Sequence, residues 1–457
     1  MAQLTEFVKL ASDFVWNSVL LYVLIFTGLL FTIRLGFIQL RKFGAGSRSM
    51  FGGFSLKGKK ADKDGMSSFQ AAATSIAAQV GTGNIVGCAT AILLGGPGSV
   101  LWIWVAAFFG MATIYAEAVL AQKYKTRDEN GEVIGGPVYY IRARFQGGFG
   151  KFLAGFFSVA IILALGFMGN MVQANSISSS FETAFGIPRP VVGVIVALLA
   201  AFIFMGGVTR IASVTEKLVP IMAVCYLVGS LIVIGVNITA VPGVLRDIFV
   251  GAFQPQAVLG GGVGIGIMHA MRYGVARGLF SNEAGLGSTP HAHAMAKVKE
   301  PQEQGHIAMV CVFIDTFVVL TITALVILTS GIVTPDMIGN DSTAASLTQS
   351  AFSAVFGNFG NMFVAVCLLF FAFSTIIGWY FFGEQNIKYL FGRKAVRVYS
   401  IIVILCVFVG SLLKVDLVWS LADFFNAVMA LPNLIALLFL SGVVVRITKG
   451  QEEHALK

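Results

Sequence analysis

Between Asp64 and Glu117 the chain carries no formally charged residue. A run of that length holds two helices of about 20 residues, the length that crosses a hydrocarbon core. Only 12% of the 457 residues are charged and 57% are hydrophobic, against roughly 25% charged in a soluble domain. The apolar runs do not alternate with polar residues, as the strands of a membrane β-barrel must. The expected class is an all-α polytopic membrane protein.

Eleven apolar segments can be drawn, near 14–40, 67–94, 97–121, 152–182, 190–208, 216–236, 257–287, 304–331, 357–387, 396–413 and 417–446. The connections are short, which leaves no room for a separate soluble domain. Of the 31 Lys and Arg residues, only Lys9, Arg189, Arg246 and Lys414 fall on the side of the N-terminus. Basic residues mark cytoplasmic loops, so the N-terminus is expected outside and the C-terminus in the cytoplasm. The net charge of +9 is thus a topology signal, with weak attraction to anionic lipid, and no sign of nucleic-acid binding. Cys88, Cys225, Cys311, Cys367 and Cys406 stand singly in apolar segments, form no CxxC pair and read as small buried residues. Glu6 and Asp13 without a basic flank argue against a cleavable signal peptide.

Parity then suggests a symmetry. With residues 1–40 set aside as an accessory helix, ten spans divide into 67–236 and 257–446, followed by a cytoplasmic tail at 447–457. Five helices per set invert the second set relative to the first. The first span of the first set reads SIAAQVGTGNIVG and is interrupted at Gly81, Thr82, Gly83 and Asn84; the first span of the second carries Gly260, Gly261, Gly262, Gly264 and Gly266. Glycine weakens helices, and backbone left unpaired in hydrocarbon costs several kcal/mol per group unless it lines a cavity. Glycine-interrupted segments at matching positions of two halves point to a transporter site. The amides exposed by an unwound turn at Gly81, Thr82 and Gly83, opening the outer half-helix, suit a carboxylate, and the carbonyls ending the inner half, Ala77 to Val80, suit a small hard cation. Close helix packing on small residues is the competing explanation.

The stretch from SSFQAAATSIAAQVGTGNIVG through IYAEAVLAQKY, with GGPVYYI (135–141), GLFSNEAGLGSTPHAHA (278–294) and FFAFSTIIGWYFFGEQ (370–385), resembles the alanine or glycine:cation symporter family. The likeness runs across nearly the whole chain, and SNEAGLG is its most specific part. It implies a LeuT-type five-plus-five inverted repeat with two discontinuous helices, about 11 transmembrane helices in all, in the cell membrane. The resemblance also implies roles. Substrate carboxylate would meet the amides of Thr82 and Gly83. A second sodium site would use the carbonyls of Ala77 and Val80 with the hydroxyls of Ser374 and Thr375; without the resemblance, those hydroxyls read as bonded back to their own helix. A first sodium site would use Gln79, Asn84 and Asp315. Gln79 stands where the wider group often has a small residue, so its amide could instead reach the substrate.

In GFMGNMVQANS, Gly166, Phe167, Asn170 and Met171 share a helical face. Asn170, mid-span, holds the substrate or bonds two helices together; Phe167 reads as pocket wall. Gly264, Ile265, Gly266 and Met268 would surround the amine and a short side chain. Asp315 lies deep in CVFIDTFVVL, where a charge is functional by default, though it could pair with a base on a neighbouring helix. Glu117 and Asp423, nearer span ends, read as structural partners. His269 reads as a satisfied buried histidine before a proton carrier. His291 and His293 have no acid or cysteine to complete a metal site and read as ordinary polar residues of a cytoplasmic connection. GGFSLKGKK at 52–60 lacks P-loop spacing, and no strand precedes GTGNIVG as a dinucleotide fingerprint requires.

The expected function is sodium-coupled symport of alanine or glycine into the cell by alternating access, by a chain that is no enzyme. Na+ is the coupling ion, and the lipid bilayer the surroundings of a monomer. Proton coupling through Asp315 or His269 is the alternative within the class. A channel is the alternative outside it, although one chain offers no fourfold ring of filter loops.

Overall fold

A computed structural model of the chain describes residues 2–52, 61, 65–255, 258, 266–413 and 415–451. Helix dominates. The chain opens with α1 (Ala2–Val15), which passes through one π-helical turn into α2 (Leu21–Arg34). A bent pair follows, α3 (Ser68–Gln79) and α4 (Gly83–Gly95), with 49° between the two. Then come α5 (Ser99–Lys123), α6 (Gly147–Phe185), α7 (Arg189–Phe204) and α8 (Gly207–Val236). The remainder holds α9 (Val241–Phe253), α10 (Ile267–Asn282), α11 (Pro301–Thr329), α12 (Ala344–Phe356), α13 (Asn358–Phe391), α14 (Val396–Leu412) and α15 (Val415–Thr448). Among the described residues, seven helices are long and apolar enough to cross a membrane, or eight if the bent pair is one span.

Each of the eleven apolar segments contains helix. Three features were not in the sequence reading. α9 and α12 occupy connections expected to be short; each is only 13 residues long, below the length of a span. A two-stranded hairpin, β1 (Thr126–Arg127) with β2 (Val133–Ile134), departs from the all-α expectation. Arg393 holds it through ion pairs to Glu132 and Asp128.

The N-terminal helices are packed against the rest of the chain. A Cβ on Gly28 of α2 would sit 2.8 Å from Phe109 Cβ of α5. Arg34 donates to Ser441 of α15 (2.6 Å), and the Trp16 indole to the carbonyl of Asp423 (3.2 Å). Asp423 itself forms a bidentate pair with Arg277 of α10, both contacts 2.9 Å.

Two breaks organise the interior. The first separates α3 from α4. α3 starts on a capping box between Ser67 and Gln70 and ends where Val80 turns extended (φ −82°, ψ 91°). The second follows α10. Glu283 adopts a left-handed conformation (φ 59°), as do Gly285 (φ 87°) and Gly287 (φ 80°), before a helical turn resumes at Pro290–Ala294. Side chains and glycine both support this loop. Glu117 of α5 accepts from the amides of Gly285 and Gly287 (3.0 Å each) and from Asn433 of α15 (2.6 Å). Tyr140 in turn donates to Asn433. Glu117 and Asp423 are thus structural partners, as the sequence suggested.

Removal of the Glu117 carboxylate orphans two buried amides, each worth roughly 1–3 kcal/mol of desolvation. Glu117→Ala should therefore destabilise the folded protein by on the order of 2–5 kcal/mol, with Glu117→Gln closer to wild type because one acceptor oxygen remains. Thermal unfolding of the detergent-solubilised protein measures the difference; equal midpoints for Glu117→Ala and wild type would contradict it.

Candidate functional site

The two breaks face each other at one level. A Cβ on Gly83 would stand 3.1 Å from Ser281 Cα and 3.2 Å from the Phe280 ring. The Gln79 side chain donates to the Asn282 carbonyl at 2.7 Å, so the end of α3 holds the end of α10 directly. Asn84 folds back on its own turn and accepts from the Gly81 amide (2.9 Å). The Thr82 amide donates to Gln173 Oε1 of α6 (3.2 Å).

Ala77, Val80, Ser374 and Thr375 come together where α13 crosses the first break. Ser374 Oγ lies 3.2 Å from the Ala77 carbonyl. Thr375 Oγ1 lies 3.0 Å from Ala77 O and 3.4 Å from Val80 O. Both hydroxyls also reach the Phe371 carbonyl of their own helix, at 2.8 and 3.1 Å. Each hydroxyl has one proton. Three carbonyls and two hydroxyl oxygens therefore converge with two protons among them, a surplus of acceptors that hard-cation chemistry requires. Gly81 makes the approach possible: a Cβ there would be 2.3 Å from Thr375 Oγ1.

A second polar cluster surrounds Asp315 on α11. Asn84 Nδ2 donates to Asp315 Oδ1 (2.7 Å) and to its carbonyl (3.1 Å). Ser281 Oγ lies 2.9 and 3.0 Å from the two carboxylate oxygens, and Thr316 Oγ1 donates to Oδ2 at 2.9 Å. Asn282 donates to Thr316 (3.2 Å). Asn84 and Asp315, expected at one site, are in direct contact. The sequence alternative of a basic partner for Asp315 is not what its hydrogen bonds show. Gln79 uses its side chain on the second break.

Asn170 is buried and donates to Gly166 O of its own helix at 3.0 Å. Phe167 is half-buried and packs on Tyr399 of α14, with ring centroids 5.9 Å apart. Four buried polar atoms beside the first break have no hydrogen-bond partner: Gln79 Oε1, Thr82 Oγ1, Asn170 Oδ1 and Gln173 Nε2. Buried polar groups are ordinarily paired, and such a group of exceptions at a helix break marks a place for a polar ligand.

The glycine run expected to hold the second break falls almost wholly outside the described residues. Gly264 and Ile265, like Gly260, Gly261 and Gly262, lie outside the described residues. Gly266 and Met268 open α10, and Met268 is 54% exposed. This end of α10 sits beside the far end of α4: a Cβ on Gly95 would be 3.2 Å from Ala270 Cα. At 1.5 Å per residue, Met268 is about 20 Å along the helix from Ser281. Gly266 and Met268 are therefore distant from Thr82, and the residues at the level of the break are Phe280, Ser281, Asn282 and Glu283. His269 is exposed, contrary to the expected burial. His291 and His293 are buried. His291 donates to Ser288 O (2.7 Å) and accepts from Asn386 (2.9 Å); His293 accepts from Gln304 (2.8 Å). No group of three metal-ligating His, Cys, Asp or Glu side chains occurs among the described residues.

Sequence reasoning missed Gln173, Ser281, Asn282, Glu283 and Trp379. Trp379 of α13 donates to Glu283, meets Phe280 edge-on with centroids 5.9 Å apart, and lies against Gly169, where a Cβ would be 2.4 Å from the indole. The available signal was a polar Ser-Asn-Glu run followed by two glycines inside an apolar segment, the composition of a broken helix.

Known proteins resemble this chain over most of its length. The sodium/alanine symporter AgcS of Methanococcus maripaludis is 43% identical over 448 residues, spanning 98% of this chain and 97% of that one. The probable sodium/glutamine symporter GlnT of Bacillus subtilis is 41% identical over 447 residues, spanning 97% and 90%. A manganese transporter of Eremococcus coleocola shares the fold, with a TM-score of 0.52 at 15% identity over 82% of this chain and 76% of that one. The sodium:alanine symporter family matches residues 1–456, and the chain belongs to that family of membrane transport proteins.

Proposed function

We propose that the protein is a secondary active transporter carrying a small neutral amino acid, alanine or glycine, into the cell with sodium. The observation that carries this reading is the surplus of acceptors where Ala77, Val80, Ser374 and Thr375 meet at the first break. Carbonyl and hydroxyl oxygens without enough protons call for a small hard cation, and sodium is the ion in the names of the relatives and of the family.

In this reading another sodium occupies the first site, the group of Gln79, Asn84 and Asp315, where the Asp315 side chain offers oxygen ligands. The substrate carboxylate docks at the amides of Thr82 and Gly83 on the opening turn of α4, which carries positive helix-end charge. Gln173 and Asn170 offer amide groups from one face of α6, spaced three residues apart. Residues 67–236 and 257–446 form inverted halves of a LeuT-type repeat. Contact between the two breaks supports it, since α3 with α4 and α10 with the turn at Pro290–Ala294 each begin one half. The protein is a monomer in the cell membrane, N-terminus outside and C-terminus in the cytoplasm, in keeping with its basic connections. Alternating access then consists of opening the paired breaks first to one side and then to the other, with cation holding the outward-open site ready.

Uptake of labelled alanine into proteoliposomes tests the reading. An inward sodium gradient should drive accumulation in the absence of a proton gradient. Accumulation driven by a proton gradient alone, indifferent to sodium, would transfer the coupling to Asp315 and discard sodium. Ser374→Ala with Thr375→Ala should raise the half-saturating sodium concentration by about tenfold, the worth of one charge-assisted contact, with alanine affinity at saturating sodium nearly unchanged. Equal sodium titrations for variant and wild type would remove the pair from the site. Gly81→Ala should abolish sodium-driven uptake in a folded protein, because its Cβ displaces Thr375 at an overpacking cost of about 1–3 kcal/mol. Wild-type uptake by Gly81→Ala would show that the close approach is dispensable.

A further inference from the structure

We infer that Glu283 and Trp379 form the tie that transmits cation binding at the first break to the second break. The inference rests on the sodium reading of Ser374 and Thr375. α13 carries both ends of the tie. Thr375 and Trp379 are four residues apart and so share one helical face. Thr375 grips the first break at Ala77 and Val80. Trp379 grips the second, by donating its indole N–H to Glu283. A cation that pulls Ala77, Val80 and Thr375 into a common shell therefore fixes the rotation of α13, and with it the position of the indole.

The two ends are built for one geometry. Gly169 of α6 leaves room for the indole and nothing more, and the Phe280 ring stands edge-on to it at 90°. Glu283 is one of only two non-glycine residues with positive φ among the described residues. Its left-handed backbone is uncommon for a residue with a Cβ, and it is held there by its side chain. One carboxylate oxygen takes the Trp379 N–H and the other takes the Ser288 hydroxyl across the loop. Loss of the indole bond frees the acid that shapes the loop. The loop begins beside Ser281 and Asn282, which contact Asp315 and Gln79. Strained backbone of this kind persists where neighbours over-determine it and is drawn from switch regions. Glu283 and Trp379 are thus positioning residues, and neither needs to touch sodium for the effect.

Coupling free energies between sites are reciprocal and typically change affinity by roughly 5–150-fold. The test is therefore a ratio: alanine affinity with saturating sodium over alanine affinity without it, measured by binding to the purified full-length protein. Trp379→Phe keeps a ring and loses the N–H; Glu283→Gln keeps an acceptor oxygen for the indole. In Trp379→Phe the ratio should fall by about tenfold, while sodium affinity measured without alanine stays near wild type. Glu283→Gln should retain the greater part of the ratio, and Glu283→Ala should lose it as Trp379→Phe does. A general loss of structure would weaken sodium and alanine together and would not be rescued by glutamine. An unchanged ratio in Trp379→Phe, with sodium affinity weakened in Ser374→Ala/Thr375→Ala, overturns the tie alone. Unchanged sodium affinity in that double variant overturns the sodium reading, and the tie with it.

Discussion

Backbone amides and carbonyls released by a break inside a membrane helix have no water to turn to, and nearly every polar contact near the site answers that demand. The end of α3 and the start of α4 are satisfied from several directions. Asn84 takes the Gly81 amide, Gln173 takes the Thr82 amide, and Ser374 and Thr375 face the carbonyls of Ala77 and Val80. The loop after α10 is satisfied by Glu117, which takes two amides at once. Apart from Asn84, these partners come from α5, α6 and α13, so the breaks dictate how the surrounding helices pack. What the protein does not satisfy is equally informative. Hydroxyl protons are too few for the carbonyls at the first break, and four side-chain atoms beside it lack partners.

Charge is handled in the same spirit. Asp315, Glu283 and Glu117 are buried, and the hydrogen bonds to each come from neutral donors: Asn84, Ser281 and Thr316 for the first, Trp379 and Ser288 for the second, two amides and Asn433 for the third. A charge placed in an apolar interior is costly unless it is paired or hydrogen-bonded. Arg277 and Asp423 follow the pairing route at the flank of the site. The carboxyl groups nearest the breaks follow the hydrogen-bonding route.

Much of the architecture was legible in the sequence because hydrocarbon imposes length and composition on every span. The uncharged run from 65 to 116 did become the bent pair and α5. The first break was legible because Gly81, Thr82, Gly83 and Asn84 are conspicuous in such a run. Ser374 and Thr375 were legible through family resemblance; spacing alone placed them with helix back-bonding, and their bonds to Phe371 show that this also occurs. The break after Asn282 was not anticipated. Glycine density drew attention to 260–266, of which all but Gly266 lies outside the described residues, and the break after Asn282 has a glutamate at its first left-handed position. Propensity cannot anticipate this, because Glu283 is held there by Trp379, 96 residues away in sequence. Gln173 escaped for the same reason, its partner Thr82 being 91 residues distant. The helices α9 and α12 escaped because, at 13 residues each, they fall short of a membrane span.

A structure of the protein determined with sodium and alanine bound tests the central claim most directly. The account predicts cation density in contact with the carbonyls of Ala77 and Val80 and the hydroxyls of Ser374 and Thr375, and the alanine carboxylate at the amides of Thr82 and Gly83. Alanine bound away from the first break, or a Ser374–Thr375 pair still bonded only to Phe371 with sodium elsewhere, would contradict it.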